Sequence, residues 1–78
     1  MSQPTPLSVR VAARVRGLAA EQGVTQMQVA EHLGLAQTAV SKRFRGVTPW
    51  PLDELERMAE LLGVDLPDLI GYALAAAS

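Results

Sequence analysis

The stretch Thr25–Gly46, TQMQVAEHLGLAQTAVSKRFRG, decides how this chain folds. Two short helical periodicities lie on either side of Gly34. Thr25 followed by Gln28 has the form of a capping box, in which the hydroxyl accepts the Gln28 backbone N–H and the Gln28 side chain returns to the Thr25 backbone N–H. A helix therefore starts at Gln26. Val29, Ala30 and Leu33 recur on its buried face, and Gly34 supplies the residue tolerant of positive φ that a tight turn needs. A second helix is expected from Gln37 to about Arg45, stopping at Gly46. Its cap position holds Ala36, a poor choice that costs on the order of 1 kcal/mol against Ser or Thr.

The apolar residues of this pair have spacings that let two helices cross closely. Ala30 is small where the axes approach, Val40 is β-branched and pins the second helix on the first, and Leu33 and Leu35 plug the core beside the turn. The second helix then turns amides, hydroxyls and cations outward. That is the arrangement by which a chain places one helix in the major groove of DNA.

Working outward, residues 1–7 hold two prolines and two Ser/Thr residues and read as a flexible tail. Ser8 is expected to cap a first helix running to about Gln22. Val11, Val15 and Leu18 form its buried stripe, Arg10 and Arg14 share another face, and Gly23 is its stop. Beyond Gly46, the loop VTPWP leads to a fourth helix. Pro51 suits its first position, and Asp53 and Glu54 are favoured by its dipole. Leu52, Leu55, Met58, Ala59 and Leu62 give its apolar face, and Gly63 closes it. Asp65 is expected to cap a fifth helix with Leu66, Leu69, Ile70, Ala73 and Leu74 at its apolar positions, and Val64 with Leu69 as a hydrophobic staple. Four glycines in register with four periodicities predict an all-α fold of five helices, with one domain over residues 8–76.

Composition agrees. The 78 residues leave no room for a second core, and 49% are apolar with few aromatics, so Leu, Val and Ala must build the interior. No window alternates with period two, so no sheet is expected. With no cysteine, neither a disulfide framework nor a thiolate metal site can form. The N-terminus lacks the apolar run of a signal peptide and no stretch is long enough to span a bilayer, so a cytoplasmic protein without a membrane partner is expected.

The net charge of −1 conceals a polarity along the chain. Residues 1–50 hold Arg10, Arg14, Arg16, Lys42, Arg43 and Arg45 against Glu21 and Glu31, a formal +4. Residues 51–78 hold Arg57 against Asp53, Glu54, Glu56, Glu60, Asp65 and Asp68, a formal −5. A basic half can meet phosphate while an acidic half stays away from it.

The run from Thr25 to Leu69 resembles the lambda-repressor and Cro type of helix-turn-helix domain, the XRE family. Its pattern of a TQ pair, then LA and G, then a small-polar helix ending in glycine is followed here by Leu55, Met58, Ala59, Leu62, Gly63 and Val64, matching a later LxxMAxxLGV block. The resemblance implies a compact five-helix lambda-repressor-like domain whose second and third helices bind double-stranded DNA. Gln26 matches a Gln that binds a DNA phosphate at a helix start, where free N–H groups and the dipole favour an anion. Gln37 and Thr38 match base-reading positions: Gln suits adenine, and Thr a thymine methyl or a base acceptor. Ser41 and Lys42 lie one turn further on near the same face, and Lys42 can reach guanine or a phosphate. Arg43 and Arg45 are expected on phosphates, because long cations near a helix end serve that purpose readily.

Two departures from the family stand out. Where relatives have an apolar residue followed by Glu, this chain has Arg43 and Phe44. The Arg that often pairs with that Glu from the first helix is Ala19 here. An apolar Ala19–Phe44 contact is expected in place of a buried ion pair, a swap that is neutral or stabilising when packing is good.

Other signals are weaker. His32 is the sole histidine, without a partner for metal or catalysis, so an exposed or phosphate-proximal imidazole is the plain reading and no metal or cofactor is expected. Asp53, Glu56 and Glu60 read as a solvated helix face. No Ser/His/Asp set, glycine-rich phosphate loop or paired catalytic carboxylates points to an enzyme. Trp50, between two prolines, is expected to lid the core, ahead of anchoring a partner. The apolar C-terminal segment, with Tyr72 and Leu74, can form a homodimer that sets two recognition helices about 34 Å apart over a palindromic operator. The leading expectation is a sequence-specific transcriptional regulator, a phage or prophage type of repressor encoded by a bacterium or phage and acting by operator occupancy. An antitoxin-type autoregulator and a protein-interaction adaptor on the same fold are the alternatives.

Overall fold

The computed structural model describes residues 5–75. They form five helices: α1 (Leu7–Gln22), α2 (Gln26–Leu33), α3 (Gln37–Phe44), α4 (Leu52–Leu62) and α5 (Leu66–Ala75). Among the described residues there is no strand. Helix α1 is the central strut and packs against α3, α4 and α5, while α2 packs on α3 and α4, and α4 on α5. No helix among the described residues is long and apolar enough to cross a membrane.

The expected stripes meet in one core. Val11, Val15 and Leu18 of α1 join Val29 and Leu33 of α2, Val40 and Phe44 of α3, Leu55, Met58 and Leu62 of α4, and Leu69 and Ala73 of α5. Ala12, Ala19 and Ala30 are buried among them, and such small side chains let the backbones approach. Trp50 is 6% exposed and closes the core as the lid that its position between prolines suggested. Among the described residues no polar or charged residue is buried, so the interior is held by apolar contact alone.

Several boundaries and faces differ from the sequence-based expectations. Helix α1 begins at Leu7, with Pro6 and not Ser8 at the cap position and no side-chain cap. The Pro6 carbonyl instead accepts the N–H groups of Val9 and Arg10 at 3.0 and 3.2 Å. Of the expected tail, residues 1–4 lie outside the described residues, while the Thr5 carbonyl accepts a hydrogen bond from Arg10 Nη1. Pro51 occupies the cap of α4 rather than its first turn. Leu52 is 66% exposed, because the first turn of α4 projects past the core that Leu55, Met58 and Leu62 enter. Leu74 likewise points outward, since Leu69 and Ala73 define the inner line of α5.

Helix ends are closed by long side chains from neighbouring helices. Each helix leaves its last carbonyls without intrahelical partners. Arg57 of α4 donates to the carbonyls of His32 and Leu33 at the end of α2. Arg16 of α1 donates to the Phe44 carbonyl ending α3, and Gln22 donates to the Leu62 carbonyl ending α4 at 2.7 Å. Arg10 reaches the Ala73 carbonyl in α5 at 3.1 Å. The cationic donors also sit at the negative ends of helix dipoles. Three of these four donors come from α1, so the ends of α3, α4 and α5 are referred back to the same strut, while α2 is closed from α4.

Candidate nucleic-acid interface

The two helices that present the candidate site are fixed at their junction. The capping box forms: Thr25 Oγ1 accepts the Gln28 N–H at 3.1 Å, and Gln28 Oε1 accepts the Thr25 N–H at 2.8 Å. At the other end of α2, Gly34 has φ 70° and ψ 34°, a left-handed conformation that a side chain would strain. The Leu35 N–H then returns to the Ala30 carbonyl at 3.0 Å. Ala36 starts α3 without a side-chain cap, as its chemistry requires. After the Phe44 turn, Gly46 takes φ 76° within van der Waals reach of α1. A Cβ at Gly46 would lie 3.7 Å from Val9 Cγ1 and 3.8 Å from Ala12 Cβ.

At helical spacing, residues four apart share a line along α3. Val40 and Phe44 form the inward row, at 0% and 5% exposure. Gln37 and Ser41 form the row on one flank, Thr38 and Lys42 the row opposite the core, and Ala39 and Arg43 the row on the other flank. Gln37, Thr38 and Lys42 are exposed and Ser41 is half-buried. The four base-reading candidates thus occupy two adjacent rows on one outward surface. Gln26, half-buried in the first turn of α2, and Arg45, exposed at the cap of α3, stand at the ends of the same two-helix unit. Arg45 Nε lies 3.4 Å from the Ser41 carbonyl, a loose approach at the edge of hydrogen-bonding range.

Arg43 does not have the freedom expected of a phosphate ligand. Its Nε donates to Glu54 Oε1 at 2.5 Å, its Nη2 to Glu54 Oε2 at 3.3 Å, and its Nη1 to the Ala39 carbonyl at 3.1 Å. The side chain is only 14% exposed. The reason is positional: the Ala39/Arg43 row is the flank that faces the N-terminal turn of α4, where Glu54 is placed. Residues 1–50 are consequently less available to DNA than their +4 suggests. Arg10 and Arg16 serve carbonyls, and Arg14 stacks on Tyr72 with its guanidinium carbon 4.1 Å from the ring centroid. Lys42 and Arg45 are the exposed cations of α3.

His32 is half-buried, with Nε2 3.2 Å from the Arg57 carbonyl, and so belongs to the α2–α4 seam and not to a phosphate contact. The sequence alone does not point to Glu54 and Arg16, both of which hold α3 from other helices. Their separations from Arg43 and Phe44, eleven and 28 residues, lie far beyond the range of helical periodicity.

The model of the helix-turn-helix domain family matches residues 10–70. Among solved structures, the fold is similar to the clp gene regulator ClgR from Corynebacterium glutamicum, with a TM-score of 0.87 at 23% identity over 96% of this chain and 80% of that one. A second ClgR structure superposes with a TM-score of 0.86 at 22% identity over the whole of both chains. At those identities the likeness is one of fold. The hypothetical transcription factor NHTF from Neisseria is 28% identical over 90% of this chain and 80% of that one, with a TM-score of 0.74. No curated protein sequence matches the chain. The chain belongs to the helix-turn-helix domain family, and that membership supports DNA-binding transcription regulation.

Proposed function

We propose that the protein is a sequence-specific transcriptional regulator that represses by occupying an operator, with α3 lying in the major groove. The observation that carries this reading is the outward surface of α3, where Gln37, Thr38 and Lys42 are exposed on a helix whose inner row is fully buried. Gln37 and Thr38 at its N-terminal end meet base edges first, and Ser41 and Lys42 follow one turn on. Gln26 and Arg45 take the flanking phosphates. Arg43 is left out of the DNA-binding set because Glu54 and Ala39 already hold its three nitrogens.

With Lys42 and Arg45 as the exposed cations of α3, one copy releases few counterions and binds weakly. A homodimer doubles that number. Tyr72 and Leu74, 58% and 53% exposed on α5, are the apolar residues that such a pairing would cover. Selection of bound duplexes from a random pool, with sedimentation of the bound species, tests the reading. An inverted repeat with half-site centres about one helical turn apart is expected. Enrichment of a single unrepeated site, bound by one copy, would refute the dimer, and no enrichment would refute sequence reading.

A further inference from the structure

Arg43 and Glu54 form a side-on fork between the last turn of α3 and the first turn of α4, with both carboxylate oxygens engaged. The pair is 14% and 19% exposed, and a third bond ties Arg43 to the Ala39 carbonyl. Its row on α3 adjoins the row of Thr38 and Lys42, so a guanidinium released from Glu54 would stand beside the proposed groove-facing surface. Carboxylate and phosphate are both bidentate partners for that guanidinium. The protein partner holds two advantages. Its geometry is already formed, and release of Arg43 would leave the Glu54 carboxylate facing a polyanion without a counter-charge.

We propose that Glu54 withholds Arg43 from the DNA backbone and thereby limits the sequence-independent part of binding. The inference rests on the DNA-binding reading above and deepens it. Phosphate contacts add affinity for every sequence alike. On a surface with few free cations, one more per copy is a large fractional change. Glu54 thus acts through Arg43, and the acidic half of the chain takes part in setting DNA affinity.

The test measures affinity for a random-sequence duplex as a function of salt for the wild type, Glu54→Gln, and the double variant Glu54→Gln/Arg43→Gln. Circular dichroism melting checks that each is folded. Glu54→Gln is expected to steepen the slope of log affinity against log salt by about 0.9 per copy bound, the signature of one additional neutralised phosphate. The double variant has the wild-type net charge and is expected to return to the wild-type slope. A folded Glu54→Gln protein with an unchanged slope overturns the proposal. So does a steeper slope that persists in the double variant, since loss of the Glu54 carboxylate's own repulsion of phosphate, and not a freed Arg43, would then explain it. Should Glu54→Gln fail to fold, the double variant decides: a slope shallower than wild type by about 0.9 per copy shows that Arg43 was on phosphate all along, and a slope equal to wild type supports its confinement. Absence of wild-type binding at every salt concentration would overturn the DNA-binding reading itself, a result distinct from a bound duplex with unaltered slopes.

Discussion

Phe44 and Trp50 meet with ring centroids 5.9 Å apart and planes inclined by 57°, a tilted pair that joins the last turn of α3 to the loop before α4. Both rings are buried, and Ala19 lies in the same apolar cluster at 2% exposure. The exchange of a polar Glu–Arg couple for apolar side chains, inferred from the sequence, is thus realised as an aromatic plug. Phe44→Ala would empty that space, which the surrounding helices refill only in part. A loss of about 3–5 kcal/mol is expected in urea unfolding. Unaltered stability would mean that the ring is not part of the core.

Thr25 starts the helix on which α3 rests. Thr25→Ala removes the acceptor for the Gln28 N–H and the reciprocal geometry of the box. The expected cost is about 1 kcal/mol, read as a lower unfolding midpoint with an unchanged denaturant slope. A midpoint equal to that of the wild type would show that water replaces the hydroxyl at no cost.

Arg45 is exposed at the cap of α3, and its Nε lies 3.4 Å from the Ser41 carbonyl. As a phosphate ligand it should add to affinity without regard to base sequence. Arg45→Ala is expected to weaken binding to all duplexes alike and to lower the salt slope by about 0.9 per copy. A change in which bases are preferred would move Arg45 from the backbone into the groove.

Much of this architecture is legible in the chain because its signals are local. The Thr25–Gln28 box, the glycines past the ends of α1 to α4 and the apolar stripes of α1, α2 and α4 each act within one or two turns. Expectation and structure part where a choice between neighbouring residues depends on tertiary placement. Ser8 is the better capping chemistry, yet the chain turns at Pro6, and Leu52 fits the α4 stripe but protrudes from the end of the core. In the candidate site, the outward rows of α3 follow from spacing. The diversion of Arg43 does not, because Glu54 reaches it from another helix and nothing between the two residues announces the pairing. The same holds for Arg10 and Arg14, which composition counts as basic surface and the fold half-buries against the Ala73 carbonyl and the Tyr72 ring, while Arg16 bonds the Phe44 carbonyl and stays exposed.

Gln37 is the residue whose removal isolates base reading by α3. The decisive measurement compares duplex preferences selected from a random pool by the wild type and by Gln37→Ala. The expected result is loss of preference at one or two base pairs in each half-site, worth about 1–3 kcal/mol against the wild-type sequence, with the salt slope unchanged. A uniform fall in affinity with every preference retained would contradict it, leaving Gln37 as a backbone contact and α3 without its reader.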